Sequence, residues 1–528
     1  MKKLSKAVYL YNSSLFSIPF LNKILYKIET FLYQRDLLNL IFIGQKQNKF
    51  FARLSDLISE KAAIVICRSA RIEHFLKNIK ADIVLDLQIN KPESLTYLDA
   101  YSLMWSLVFS NSVTTTTKKL LANFLPGDFS VKKTVVIPYN DSLEVVCDYI
   151  FQTAKALSQK GFIVHLMPFE DPVSIFGLLR QKRKKVTRQD FFSENKILLD
   201  LPIIPFPIRF LKNKFIRDLS RISTLFYFYF LIKLIKPDYL WCFDPVDIQL
   251  VKKVKGLTTT IYDCVDYFTS LDTKKDKEIK ADESELIKTV DYFFVNSQVL
   301  RNIKKTIREP DAVVVQGFDE KAFNAFSSFS KGEIKYTAKF RKLLISLPKP
   351  RIGFIGNLTY RLDFKLLLSL VKKMPKVSFI FIGDLLPMTY DDKFVGTVKL
   401  LSELKKARNT HFLPKTDTRK VLRELLKEID IGMIPYNIEF DFNRYCYPMK
   451  LFEYFYMGMP VISTEILELR KYPEFVKIGK SVSEWEKIIK DFILNPRDKE
   501  LQREEKNLAI KNSWNNKVTQ ILINLDKQ

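Results

Sequence analysis

Towards the end of the chain, Tyr447-Pro448-Met449-Lys450-Leu451-Phe452-Glu453 brings together residue types that can hold an anion. Proline opens a helix well, because it needs no hydrogen bond in the first turn and its φ is already helical. The amides of that turn lack partners within the helix, and with the helix dipole they favour a phosphate in front of them. Lys450 adds a full positive charge in the same turn, and Glu453, three residues on, shares its helix face. A carboxylate there can accept hydrogen bonds from a ribose diol while the lysine and amides hold a diphosphate. The same spacing also suits a solvated Lys–Glu pair on an ordinary helix.

The elements that must position this segment alternate between strand-like and helical patterns, as in parallel sheets with crossover helices. From residue 132, strands are expected at 134–138, 161–167, 239–243, 258–262, 292–295 and 312–315, with helices at 145–159 and 215–234. After a lysine-rich stretch at 331–347, Pro348-Lys349-Pro350 breaks any helix and suggests an inter-domain hinge. A second series then gives strands at 352–355, 377–382, 431–434 and 461–462 and helices at 366–373, 397–406 and 450–457. Gly458 and Pro460 end the last of these helices and release the chain into its strand. Two Rossmann-like halves in tandem follow, at 131–335 and 336–528, the second including closing C-terminal helices. Ligands of such open sheets sit beyond the C-terminal strand edges, so two facing halves enclose a cleft.

Residues 1–130 stand outside this plan as an α/β extension. Ile83-Val-Leu-Asp86 resembles Thr260-Ile-Tyr-Asp263, and Val135-Val-Ile-Pro-Tyr-Asn140 resembles Val313-Val-Val-Gln-Gly-Phe-Asp319. Segments at 18–23 and 109–112 have similar counterparts at 204–214 and 295–297, in the same order. The extension reads either as a degenerate partial repeat of the domain that follows or as chance likeness between α/β segments.

A length of 528 residues exceeds one hydrophobic core. The 47% hydrophobic and 27% charged content is that of a globular protein. Lysine and arginine exceed aspartate and glutamate by 85 − 59 = 26, a balance that attracts phosphorylated ligands, anionic lipid or nucleic acid. Apart from a basic run at 180–185 the positive charge is spread, and no RRM, KH, zinc-finger or helix-turn-helix pattern accompanies it, which argues against nucleic acid. Cys67, Cys147, Cys242, Cys264 and Cys446 lack CxxC spacing, which argues against a zinc site and a disulfide framework and fits a reducing cytoplasm. No secretory signal is expected. The longest apolar run, 225–232, is too short to span a membrane and reads as a buried helix or an interfacial one.

The string Pro448-x-Lys450-x-x-Glu453-Tyr454-x-x-x-Gly458-x-Pro460-Val461 resembles the donor-site motif of the family 4 (group 1) GT-B glycosyltransferases. Ile352-Gly-Phe-Ile-Gly-Asn357, Phe379-Ile-Phe-Ile-Gly383 and Asp430-Ile-Gly-Met-Ile-Pro-Tyr436 resemble strands of that family's C-terminal domain. Val295-Asn-Ser297 with Gly317-Phe-Asp319 resembles the end of its N-terminal domain. The resemblance implies an enzyme that moves a hexose-type sugar from a nucleotide diphosphate-sugar to a saccharide or lipid-linked saccharide, with retention and without a metal or other cofactor. It points to surface polysaccharide synthesis; the cysteine usage fits the cytoplasm, and the basic surface and the aromatic run suit a peripheral contact with the inner face of an anionic membrane.

Carried over by position, Gly356 and Asn357 form the turn that the diphosphate approaches, Lys450 and Arg361 bind phosphate, and Glu453 binds the ribose. Pro448 and Leu451 belong to the same donor loop, and Leu413, in Phe412-Leu-Pro-Lys415, to the segment that meets the base through its backbone. Tyr445 stands where the family often has an acidic residue beside the donor sugar, and Asn357 and Leu362 stand where it often has arginine and lysine. None of the three histidines, His74, His165 and His411, falls in the loop where many relatives place one near the reacting sugar. That loop is Ile261-Tyr262-Asp263-Cys264-Val265-Asp266-Tyr267. Its carboxylates, Asp263 and Asp266, are the acceptor-side candidates, since a carboxylate at a strand end can polarise a hydroxyl; Asp263 could equally cap a turn. These departures leave a second reading open, a catalytically inactive GT-B protein that binds glycan or membrane as an assembly factor.

Overall fold

The computed structural model describes residues 133–139, 149–168, 197–199, 214–324, 329–385, 395–416 and 418–526, with short strands at Ala7–Leu10, Phe42–Ile43, Ile64–Cys67 and Ile83–Asp86. The repeat segments at 18–23, 109–112 and 204–213 and the basic run at 180–185 lie outside the described residues. The chain packs into two compact units. One comprises Met1–Val135, Asp141–Glu144 and Gly161–Asp238; the other comprises Val136–Asn140, Val145–Lys160 and Tyr239–Gln528. The last helix, Trp514–Leu525, folds back to pack on the Tyr149–Gln159 helix, tying early and late segments into one unit.

In the first unit the four short strands form a parallel sheet in the order Phe42–Ile43, Ala7–Leu10, Ile64–Cys67, Ile83–Asp86. Ile163–Pro168 pairs in parallel with Ile197–Leu199. The Lys214–Ile235 helix contains the long apolar run, and Leu225, Phe228 and Ile232 are buried along one helical stripe while Phe226 is 47% exposed. Among the described residues no helix is long and apolar enough to cross a membrane.

In the second unit the strands Ala312–Val313, Tyr292–Val295, Thr259–Cys264, Tyr239–Cys242 and Thr134–Tyr139 lie side by side in that order. Near-continuous apolar strands such as Tyr239–Cys242, buried throughout, are what a parallel sheet covered on both faces requires. Alternation then sets the polar contacts of Thr259–Cys264. Tyr262 and Cys264 turn towards Glu283, with Tyr262 Oη donating to Glu283 Oε1 at 3.0 Å, and Glu283 pairs with Lys304 at 2.5 Å. Asp263 turns the other way.

A six-stranded parallel sheet in the same unit has the order Thr410–Leu413, Ser378–Ile382, Arg351–Ile355, Ile431–Ile434, Val461–Ser463, Val476–Ile478. The strand order reverses at Arg351–Ile355, so the crevice beyond that strand's C-terminal end is the place for a ligand. The lysine-rich stretch ahead of the expected hinge forms a helix, Lys331–Ser346. Ser330 and Glu333 cap it reciprocally, and Arg341 pairs with Glu428 at 2.6 Å. It ends ahead of Pro348, as the prolines dictate.

Candidate functional site

Lys450 is placed by Tyr454, one turn later on the Lys450–Tyr456 helix. The Tyr454 ring lies against Gly432, where a Cβ would come within 2.7 Å of it. Its hydroxyl accepts from the Ile355 N–H at 3.2 Å and donates to the Gly353 carbonyl at 3.1 Å. The helix is thereby pinned beneath Arg351–Ile355 and Ile431–Ile434, and Lys450 reaches the turn that follows the first of these strands. Its ammonium donates to Tyr436 Oη and lies 4.9 Å from the Phe354 ring centroid.

In that turn Gly356 has φ +126°, a conformation side chains rarely adopt, and a Cβ there would lie 3.6 Å from Lys450 Nζ. Gly383 supports it from the next strand: a Cβ at 383 would sit 2.0 Å from the Gly356 carbonyl oxygen. Arg361 follows on the same loop, its guanidinium 5.1 Å from the Tyr436 ring centroid and 5.3 Å from that of Phe442. Asn443, fully buried, fixes this arginine. Its Oδ1 accepts from Arg361 Nε at 2.8 Å, and its amide donates to the Arg361 and Asn437 carbonyls at 2.9 and 2.8 Å. Gly356, Lys450 and Arg361, separate in sequence, thus converge around Tyr436, with Asn357 exposed at the turn and Leu362 buried in the core.

Glu453 is 7% exposed and pairs with Arg419 at 2.5 Å. Burial pushes its carboxyl above the usual range, against the opposing pull of Arg419 and Lys450. It opens on a shallow pocket that Gln152, Phe318, Asp319, Arg419 and Met449 also line.

Two segments expected at the donor are also held by the protein itself. The Leu451 amide donates to the Pro448 carbonyl at 3.1 Å, and the Leu451 side chain is in the core. The Leu413 carbonyl already accepts from the Gly383 N–H at 3.0 Å, and the next carbonyl, Pro414, accepts from Tyr336 Oη at 2.8 Å.

The two acceptor-side candidates separate. Asp266 is half-buried at the strand end; burial raises its carboxyl, while Arg361 and a 2.9 Å bond from the Tyr267 N–H oppose the rise. The neighbouring Tyr267 packs edge-on to Tyr445 with centroids 4.9 Å apart. Asp263 does not reach this place. It is fully buried, and both its oxygens face Lys517, at 3.0 and 2.8 Å. The side chain leaves the other face of the strand, so Asp263 is part of the core.

Tyr436, Asn443 and Arg419 were not singled out from the sequence as site residues. Tyr436 only closes the family-like run Asp430–Tyr436, and Asn443 and Arg419 act through folded geometry and carry no spacing signal.

Residues 349–498 match the family model described as glycosyl transferases group 1. A relative in Bacillus subtilis, TuaH, assigned to teichuronic acid biosynthesis as a glycosyltransferase, is 26% identical over 239 residues, covering 43% of this chain and 55% of the relative. The chain thus spans about half the length of the curated relative it matches. Among solved structures, Anabaena HepE in complex with UDP and glucose superimposes with a TM-score of 0.53 at 12% identity, over 75% of this chain and 100% of that one. Sucrose-phosphate synthase of Thermosynechococcus elongatus gives 0.56 at 10% identity, over 75% and 99%. At such identities these structures speak for the fold alone. Residues 349–498 thus match the group 1 glycosyltransferase domain, and the chain has the GT-B fold of the solved structures it resembles.

Proposed function

We propose that the chain transfers a sugar from a nucleotide diphosphate-sugar to a saccharide or lipid-linked saccharide in surface polysaccharide synthesis, with retention and without a metal or other cofactor. The observation that carries the proposal is the meeting of Lys450 and Gly356. A half-buried ammonium faces a turn whose residue has no side chain, so an anionic oxygen can approach both the backbone and the charge. Arg361, held by Asn443, supplies a second cation beside it. The bond between the anomeric carbon and the diphosphate oxygen breaks and one forms to the acceptor oxygen, whose proton is released. The charge growing on the leaving diphosphate is met by Lys450 and Arg361, already in position. Glu453 takes the ribose, exchanging its contact with Arg419 for the diol. Asp266 orients the acceptor hydroxyl, and the Tyr267–Tyr445 pair offers the sugar an aromatic wall in place of the family's frequent carboxylate.

The teichuronic acid assignment of the Bacillus relative supports a surface-glycan acceptor, and the UDP and glucose held by HepE make UDP-sugars the first donors to test. Binding is measured as a thermal shift with UDP-, GDP-, ADP- and dTDP-sugars, since a ligand of the native state raises its stability. Turnover is measured as donor hydrolysis and transfer. A shift with one nucleotide class that Lys450→Ala and Glu453→Ala both remove is expected; no shift with any donor sinks the proposal. The capture of Asp263 by Lys517 together with Tyr445 favours one alternative, an inactive GT-B assembly factor. Tight nucleotide binding with no transfer or hydrolysis would select it.

A further inference from the structure

The Lys331–Ser346 helix buries Leu344 and turns Phe340, Arg341 and Glu333 towards the unit it packs on. Its outer face is unlike an ordinary solvated face. Ile334 and Ile345 are each 55% exposed and Leu343 41%. At roughly 100° per residue, Ile334, Ala338 and Ile345 fall within about 40° of one another, and Lys331, Lys342, Lys335 and Lys339 occupy the next 80° or so. All four lysines are exposed. The helix has one acidic residue, Glu333, and it is occupied inward, with Thr418, Lys420 and its own cap. An apolar stripe flanked on one side by a cationic one, with no opposing charge from the helix itself, is the arrangement of a helix that lies in the interface of an anionic membrane.

We propose that this face of Lys331–Ser346 docks the protein on an anionic lipid surface, the isoleucines entering the headgroup boundary and the lysines meeting lipid phosphates. The occupant follows from charge complementarity: the face is cationic, and the chain as a whole carries a net charge of +26. The Lys214–Ile235 helix, whose aromatic run first suggested an interfacial role, directs Leu225, Phe228 and Ile232 inward and offers less. The proposal deepens the reading of a lipid-linked acceptor given above by assigning the contact surface. Donor binding tests that reading separately, so either can fail without the other.

The test is sedimentation of the full chain with vesicles of phosphatidylcholine alone or mixed with phosphatidylglycerol, at low and high salt. Binding is expected only to the anionic vesicles and should weaken with salt. Lys335→Gln/Lys342→Gln should weaken it roughly 25-fold, from about fivefold per lysine near a charged surface. Ile334→Ser/Ile345→Ser should weaken it about tenfold or more. Both variants alter exposed side chains, so melting and donor thermal shifts should stay at wild-type values. Equal binding to neutral vesicles, or anionic binding that neither variant changes, would overturn the proposal. So would light scattering that shows a dimer dissociated by Ile334→Ser/Ile345→Ser without any vesicle binding, since the face would then serve a second copy of the chain.

Discussion

Asp263 and Lys517 lie 254 residues apart and form an ion pair in which both residues are at most 2% exposed. Lys517 Nζ lies 3.0 and 2.8 Å from the two carboxylate oxygens, so the lysine neutralises the group alone and at close range. Breaking such a pair by removing one partner strands a buried charge and costs about 3–5 kcal/mol, whereas removing both leaves a nearly neutral change. Lys517→Met should therefore destabilise the protein by about that amount, and Asp263→Asn by a comparable one. The double variant Asp263→Asn/Lys517→Met should recover most of the loss. Urea unfolding followed by tryptophan fluorescence reads this, because Trp514 lies one turn from Lys517 with its ring 5.7 Å from the ammonium. A catalytic carboxylate predicts the opposite pattern, with turnover abolished and stability nearly untouched. If Asp263→Asn costs less than about 1 kcal/mol while abolishing transfer, or if the double variant is no more stable than the singles, the placement of Asp263 in the core is wrong.

Gly356→Ala should cost about 1–3 kcal/mol from its φ of +126° and should weaken nucleotide binding further, because the new methyl group would stand 3.6 Å from Lys450 Nζ; donor titration on the folded variant measures the second effect, and unchanged affinity would remove Gly356 from the site. Glu505 is fully buried, with one carboxylate oxygen on Arg497 and the other without a partner, and burial raises its carboxyl to about 7. The folded state then binds a proton that the unfolded chain, titrating near 4.5, has released. This contribution to stability is complete below pH 4.5 and is lost as pH rises through about 7, so Glu505→Gln should flatten the fall in stability across that window. A variant whose pH profile overlays that of the wild type would refute it.

The chain's local signals fixed much of the architecture. Strands expected at 239–243, 292–295, 377–382 and 431–434 are found within one or two residues, since a parallel strand buried on both faces shows itself as a short apolar run. Glycines fixed local points too: Gly356 and Gly458 both adopt positive φ. Thr410–Leu413 and Val476–Ile478 are not expected from the pattern, because a half-exposed strand at a sheet edge does not show itself as a buried apolar run. The Lys331–Ser346 helix shows little apolar period, and its start is marked only by the capping box of Ser330 and Glu333.

At the candidate site, a proline-led turn and a charge gave Lys450 and Glu453 a locally readable chemistry, while Gly356 came from the family resemblance. Tertiary structure alone decided which carboxylate is available. Asp263 and Asp266 differ by three residues, yet strand alternation sends one into the core against Lys517 and leaves the other at the strand end beside Tyr267. It also decided what surrounds the cations. Arg361 is held by an asparagine 82 residues away, and Glu453 is met by an arginine from a different helix. Covalent spacing reports which groups share a turn; desolvation and pairing depend on neighbours that only the folded chain brings within a few ångströms.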